Sequence, residues 1–280
     1  MMSVKMKVSL VLSSVLVLGA TAARAQHRGP DGPPPGAPME LMGFEGMRGG
    51  KVVKGAPFSA TATAETTQTL QDGSLIRRTT QVSMFRDSQG RSRHEVTLSG
   101  FGPMETSGGP KTMVMISDPV GGTHYMLDSQ QKVANQLPFH AHGRGETNTD
   151  AASGFEGRMQ EREQKEIAAG LLKKESLGVQ TINGIVAEGT RTTHTIPAGQ
   201  IGNEKPIEVV SERWYSSELQ IVVKSTRTDP RFGTTTYTVT NIQRTEPAPS
   251  LFTVPSDYTV KAGGAGIGAH GGPMGVRPIN

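Results

Sequence analysis

Residues 58–86, FSATATAETTQTLQDGSLIRRTTQVSMFR, decide the fold of this chain. Apolar or small residues occupy every second position of the first part: Phe58, Ala60, Ala62 and Ala64. This period of two is typical of a β-strand that buries one face. Asp72-Gly73 then matches a tight turn, and residues 75–86 resume as a second strand. The segment therefore predicts an antiparallel β-hairpin.

Similar turn signals recur along the chain, at residues 87–90, 118–122, 183–184 and 229–233. They separate further predicted strands at residues 91–98, 111–117, 123–128, 179–181, 185–196, 207–215, 219–228 and 234–244. Because the connections are short, consecutive strands should pair antiparallel in a meander. The chain is therefore predicted to be mainly β. A hook at Leu251-Phe252 should tuck against the edge of the sheet.

One amphipathic helix is predicted, near residues 155–174. Phe155, Met159, Ile167 and Leu171 recur there at near-helical spacing. Glu161 and Lys165 add an i,i+4 pair of opposite charge.

The N-terminus has the pattern of a secretory signal peptide at residues 1–25. Lys5 and Lys7 precede a short apolar run, and Ala23-Arg24-Ala25 matches a cleavage site before Gln26. The sequence therefore predicts export to the periplasm or the extracellular space.

Composition narrows the class of partner. The chain has a net charge of +4, but Lys5, Lys7 and Arg24 lie in the leader, which leaves 26 basic against 25 acidic residues. Because basic and acidic residues nearly balance, the charge of the mature chain does not favour a nucleic-acid partner. The absence of cysteine excludes disulfides, thiolate chemistry and a cysteine-linked lipid. We expect a soluble mature protein without a lipid anchor or a transmembrane segment.

Glycine and proline mark the expected limits of the folded region. Residues 26–50 should form a disordered arm rich in Gly, Pro and Met, and residues 262–280 a disordered Gly-rich tail. Residues 51–261 remain as a single antiparallel β domain.

Four motifs in the second half resemble those of uncharacterised exported bacterial proteins of the acidobacterial type: GVQTINGIVAEG at 178–189, ERWYS at 212–216, DPRFGTTTY at 229–237 and LFTVPSDY at 251–258. More distantly, their order is similar to that of the LolA/LolB/RseB-like superfamily. The resemblance covers residues 57–260. It implies a curved antiparallel sheet, a half-barrel, that holds an acyl chain or a lipidated partner.

Metal chemistry has two candidate groups. His140 and His142 would point the same way on an extended segment, and Glu146 or Asp150 would complete a metal shell. Met39, Met42 and Met47 with His27 would suit a soft copper ion. Solvated loop histidines and scattered methionines in a disordered arm are the alternative interpretations, and we favour them. We therefore expect no metal and no cofactor.

Enzymatic motifs are missing from the sequence. Gly266-x-Gly268-x-x-Gly271 matches a dinucleotide fingerprint, but it lies in the Gly-rich tail without the strand and helix that this motif needs. No Ser lies in a Gly-x-Ser-x-Gly elbow. We therefore do not expect an enzyme.

The leading hypothesis is an exported protein that binds an apolar, acyl-like ligand or a lipidated partner in the cell envelope. The alternative is a structural or envelope-stress interaction module without an internal ligand, and a metal-binding or enzymatic protein comes third. Arginines at 77, 78, 86, 91 and 93 would offer such a module a basic patch for an anionic partner. The alternative, which we favour, is that these charges protect an edge strand from pairing with another chain. The ligand or core face is expected to include Phe155, Met159, Ile167, Leu171 and Trp214.

Overall fold

The computed structural model describes residues 52–98, 111–138 and 149–262. The expected leader, the arm at 26–50, residues 263–280 of the expected tail and the histidines His140 and His142 lie outside the described residues, whereas Ala262, the first residue of the expected tail, ends a strand.

Twelve strands form one open, curved sheet. The strands are β1 Phe58–Thr69, β2 Leu75–Arg86, β3 Ser92–Leu98, β4 Lys111–Asp118, β5 Thr123–Asp128, β6 Val133–Pro138, β7 Leu172–Ile182, β8 Ile185–Ile196, β9 Ile207–Ser216, β10 Ile221–Asp229, β11 Gly233–Gln243 and β12 Thr259–Ala262. Helix α1, Thr149–Ala168, precedes β7, and a 3-10 turn spans Pro249–Phe252. The predicted mainly β fold with one helix is confirmed.

The strand order is β12-β6-β5-β4-β3-β2-β1-β11-β10-β9-β8-β7. Strand β1 therefore lies between two meanders, one running out to β6 and the other to β7. All neighbours are antiparallel except β12, which pairs parallel with β6 at the edge. The order follows from the hairpins and from the pairing of β1 with β11.

The main core lies on the face of the sheet that carries Ala60, Ala62 and Ala64, which we call the alanine face. All three alanines are buried. They pack among larger side chains from the neighbouring strands: Val82 and Met84 on β2, Tyr237 and Val239 on β11. The small residues of β1 thus leave room for large residues on both sides.

The other face, which we call the hook face, is covered at β3–β6 by the C-terminal segment. Val114, Ile116, Leu127 and Ala134 are buried there beneath Val254 and Tyr258. The Arg93 guanidinium donates a hydrogen bond to the Leu251 carbonyl at 3.0 Å. The predicted hook at Leu251-Phe252 therefore packs on the face of the sheet rather than on its edge.

At the other wing, the hook face carries a smaller core around Trp214. Ile185, Ala187, Leu219 and Val223 form this core, and the Asn183 side-chain amide donates to the Val239 carbonyl at 2.7 Å. Trp214 pairs with Gly189, and a Cβ at Gly189 would lie 2.6 Å from Trp214 Cζ3. Only glycine therefore fits opposite this indole.

Helix α1 ends earlier than predicted. Gly170 has φ of +71°, and Leu171 N donates to the Glu166 carbonyl, which closes the helix in the manner of a glycine cap. Residues 172–174, expected in the helix, begin β7 instead. Strands β6 and β12 were not predicted at all.

Candidate functional site

Strand pairing identifies which residues share the alanine face at the β7 wing. A row of directly paired residues leads from Ala64 through β11, β10, β9 and β8 to β7: Tyr237, Ser225, Arg213, Thr190 and Ser176. Because side chains alternate along a strand, Lys174 and His194 lie on the same face as this row.

Helix α1 packs against this part of the alanine face through polar contacts. Lys174 Nζ donates to Glu163 Oε1 at 2.6 Å, and His194 Nε2 lies 3.7 Å from Glu166 Oε2. The Thr195 amide also donates to the Leu171 carbonyl at 2.8 Å. The helix therefore faces the sheet with two glutamates, Glu163 and Glu166.

The apolar residues of the helix are left exposed by this arrangement. Met159 lies four residues before Glu163, on the same side of the helix, yet it is 51% exposed. Ile167 is exposed as well. A shallow groove along the helix is lined by paired charges, among them Arg162 with Glu166 and Lys165 with Glu161. Leu171 forms an apolar wall of this groove.

A separate group of exposed apolar side chains lies on the alanine face toward the β7–β8 turn. Val222, Tyr215, Glu188 and Val179 form one directly paired row on the alanine face. Val179 is 68% exposed, and Val186, on the same face of β8, is 54% exposed. The Arg213 guanidinium lies 5.0 Å from the centre of the Tyr215 ring. We call the set Val179, Val186, Glu188, Arg213 and Tyr215 the open end of the alanine face.

The open end borders the free edge of the sheet, because β7 is the last strand in the order. The first half of β7 carries Lys173 and Lys174 and is followed by an irregularity in pairing between Ser176 and Gly178. Charges and bulges discourage strand addition. The second half, Val179-Gln180-Thr181-Ile182, carries no charge. This half of the edge is therefore open to an extended partner.

The predicted ligand or core residues do not come together on one surface. The side chain of Phe155 lies outside the described residues. Met159 and Ile167 are exposed on the helix, and Leu171 is half-buried just after it. Trp214 lies on the hook face, opposite to the helix. The sequence signal that was missed is the pair Val179 and Val186, which flanks the Asn183-Gly184 turn.

Four of the five clustered arginines have a partner in the structure. Arg86 is buried and donates to the Ala56 carbonyl, Arg91 pairs with Asp87 at 2.6 Å, and Arg93 binds Glu95 and the Leu251 carbonyl. Arg86 and Arg93 thereby hold the segments around Ala56 and Leu251 against the sheet. Arg77 and Arg78 are exposed, and Arg77 Nε lies 3.4 Å from Glu65 Oε1, so the basic patch for an anionic partner is smaller than the sequence suggested.

Two histidines lie on the alanine face of the opposite wing: His124 is buried and His94 is half-buried. Burial lowers the pKa of His94 to about 4, and burial also lowers the pKa of His124, with nearby Asp118 opposing the shift. Both imidazoles are therefore neutral near pH 7. Among the described residues, no three His, Asp or Glu side chains come together as a metal site.

No protein-family model matches the chain, and no curated protein matches it. Among the described residues, no helix is both long enough and apolar enough to cross a membrane.

Solved structures give distant similarities to LolA/LolB/RseB-like proteins. The MucA/MucB complex of Pseudomonas aeruginosa matches with 13% identity and a TM-score of 0.36, over 74% of this chain and 59% of that chain. LprF from Mycobacterium bovis matches with 11% identity and a TM-score of 0.30, over 79% of this chain and 99% of that chain. A LolA superfamily protein from Nitrosomonas europaea matches with 7% identity and a TM-score of 0.29, over 76% and 97%.

The chain therefore spans less than two thirds of the first of these structures. Since all three TM-scores lie below 0.5, the proposed function below rests on the residues of this chain.

Proposed function

We propose that this protein is an exported, non-enzymatic binding protein of the cell envelope. Its ligand is an apolar acyl chain, free or attached to a partner, and it lies across the open end of the alanine face. The observation that carries the proposal is the exposure of Val179 and Val186 on one face of neighbouring strands.

Exposed valines on a sheet face are costly to leave in water. Covering a Val side chain is worth about 1.5–3 kcal/mol, so an acyl chain that covers both gains several such contributions before the cost of its own ordering. In the same row, Glu188 lies between Val179 and the half-buried Tyr215 ring, so Val179 and Val186 alone form the apolar strip. Such a strip matches a flexible hydrocarbon better than a compact polar ligand.

The polar groups around the strip favour an amphiphilic ligand. Glu188 and Arg213 are both exposed and lie beside the apolar residues. An acyl chain would cover Val179 and Val186 while its head group reaches Arg213. On the helix side, Met159 supplies a further exposed apolar side chain.

Native mass spectrometry of the chain purified gently from a bacterial periplasm tests this proposal. We expect a lipid-sized adduct that organic solvent releases. The double variant V179D/V186D should lose the adduct, because it places two carboxylates on the apolar strip. V120D is the matched control, since Val120 is 59% exposed but lies in the β4–β5 turn.

Two results would contradict the proposal. One is a clean apo mass for the wild-type chain, and the other is an adduct that V179D/V186D keeps at the wild-type level.

A protein interaction without an internal ligand is the second candidate, and the uncharged half of the β7 edge favours it. An extended segment of a partner would add as a further strand beside Val179–Ile182. The substitution Thr181→Pro tests this. Ile182 and Ile185 close the turn as a hydrogen-bonded pair, so the Thr181 amide points away from β8, and Pro removes this outward donor without breaking the β7–β8 ladder. An acyl ligand on the face would be retained.

A further inference from the structure

The wing opposite to the proposed ligand site carries a row of sulfur and imidazole donors. Met84, His94, Met115 and Met126 are directly paired neighbours across β2, β3, β4 and β5. His124 lies two residues before Met126 on β5 and therefore shares its face. The sequence did not reveal this row, because its members come from four separate strands.

The register places these side chains close together. The Cβ atoms of directly paired residues lie about 4.5–5.5 Å apart, which lets neighbouring donors converge on one ion. Met84 is directed elsewhere, because its Sδ accepts a hydrogen bond from the Tyr237 hydroxyl at 3.6 Å. His94, Met115, Met126 and His124 remain as a compact group on three adjacent strands.

The chemistry of this group is selective. Thioether sulfur is a soft ligand that favours Cu(I), and imidazole also suits copper. The group contains no carboxylate, the ligand that Mg²⁺ and Ca²⁺ prefer. Two acids lie nearby, and both are engaged in their own turns. Asp118, close to His124, accepts hydrogen bonds from the Val120 and Gly121 amides, and Asp128 accepts them from the Gln130 and Gln131 amides.

Burial shapes the site as well. Met115 is 3% exposed and His124 is 6% exposed, while His94 and Met126 are half-buried. The site is thus shielded by protein on its β4 side and accessible from β3 and β5. A monovalent ion is easier to hold there than a divalent one, because burial penalises charge.

We propose that His94, Met115 and Met126, with His124 as a fourth donor, form a site for one Cu(I) ion. Ag(I), a monovalent soft ion, binds the same donors. The site is separated from the open end by four strands, β2, β1, β11 and β10. Whether Cu(I) binds at this site can therefore be tested independently of acyl binding at Val179 and Val186.

The test titrates the full chain with Ag(I), and with Cu(I) under anaerobic conditions against a chromophoric Cu(I) chelator. We expect one tight equivalent in the wild-type protein. M115L/M126L should weaken it at least about 10-fold, since loss of even an outer-shell partner costs about 10–100-fold. Leu and Met have similar volumes, so the fold should survive.

Three controls separate this site from other soft donors in the chain. M159L changes an exposed methionine outside the site and should leave binding unchanged. H27Q/M39L/M42L/M47L and H140Q/H142Q remove the donors of the two candidate groups in the sequence. Both should retain the tight equivalent.

The proposal is overturned if M115L/M126L binds as tightly as wild type, or if the tight equivalent disappears with either of the two sequence-group variants. If M115L/M126L loses its far-UV circular dichroism spectrum, M126L alone replaces it, because Met126 is only half-buried. An unchanged affinity in a folded M126L and a folded H94Q would equally overturn the site.

Discussion

The Tyr237 hydroxyl donates a hydrogen bond to the Met84 sulfur at 3.6 Å, although the two residues lie on strands that flank β1. Tyr237 pairs with Ala64, and Met84 pairs with Ala60. The contact therefore crosses β1 above Ala62. This crossing is possible only because the intervening residue has a methyl side chain, so the alanines of β1 define how the two meanders join.

Ala62→Leu should destabilise the fold. Ala62 is 0% exposed and lies between Val82 and Val239, so a larger side chain meets closely packed atoms and separates Tyr237 from Met84. Overpacking of this kind costs about 1–3 kcal/mol. Urea unfolding measures the loss, with Ala198→Leu in an exposed loop as the control. Equal midpoints for the two variants would contradict the role of Ala62.

Gly189→Ala should disturb the single tryptophan of the chain. The added methyl would contact the Trp214 ring and Leu177, which forces the indole to move. We expect a shifted fluorescence maximum and a loss of stability of about 1–3 kcal/mol. Trp214→Phe should reduce the cost of Gly189→Ala, since the smaller ring leaves space. A double-mutant cycle without coupling would argue against this contact.

Removing the Asp229 carboxylate should weaken the pH dependence of stability in acid. The Arg231 side chain hydrogen-bonds to Asp229 and, together with the Arg231 amide and nearby Arg227, holds its pKa below the usual range against the opposing effect of burial. A lowered carboxyl pKa stabilises the fold above the unfolded value of about 3.9, and this contribution is lost as pH falls through the folded pKa.

Urea unfolding of wild type and Asp229→Asn between pH 2.5 and 7 measures this effect. The variant should be less stable at pH 7 and should lose less stability on acidification. Asp257→Asn is the control: Asp257 pairs with Lys132 at the exposed surface, and its effect should be smaller. Parallel curves for wild type and Asp229→Asn would contradict the prediction.

Salt should loosen helix α1 without unfolding the sheet. Its described contacts with β7 and β8 are the charge pair between Glu163 and Lys174, on which the prediction rests, and the approach of Glu166 to His194 at 3.7 Å. Exposed charge pairs are screened as the Debye length falls from about 8 Å at 0.15 M to about 3 Å at 1 M salt. Hydrogen exchange of residues 157–168 should therefore accelerate at 1 M NaCl while β1 and β11 stay protected.

Glu163→Gln should reproduce this acceleration at low salt. Glu161→Gln removes a pair within the helix, with Lys165, and should have little effect on how the helix packs against the sheet. Exchange rates that respond equally to both substitutions would mean that the pair across to β7 does not hold the helix.

The hairpins of this fold are readable from the sequence because their signals are local. Alternation in residues 58–86 and the turns at Asp72-Gly73 and Asn183-Gly184 predict β1, β2, β7 and β8. The limits of the helix were misjudged, because the hydrophobic period continues to Leu171 past the capping residue Gly170.

Features that depend on contacts between residues far apart in the sequence could not be predicted from it. Strand β12 exists through its parallel pairing with Val133–Gln136, more than a hundred residues earlier, and its own four residues are all exposed. The sequence also predicted that the apolar side of the helix would contribute to the ligand or core face. The contacts to Lys174 and His194 place glutamates against the sheet and leave Met159 and Ile167 exposed rather than in the core, which depends on tertiary structure alone. Their place on a ligand face stays a prediction.

The pairing of β1 with β11 has a consequence for synthesis. Thr66 and Thr235 join these strands through their hydroxyls at 3.1 Å, although 169 positions separate them in sequence. While the ribosome makes the chain, β1 to β6 can assemble, but one side of β1 waits until β11 has emerged. Until then β1 exposes an unpaired strand edge of 12 residues, in which Glu65 is the one charged residue. The nascent protein is therefore most prone to aggregate during this interval, and a chaperone that shields β1 would matter most then.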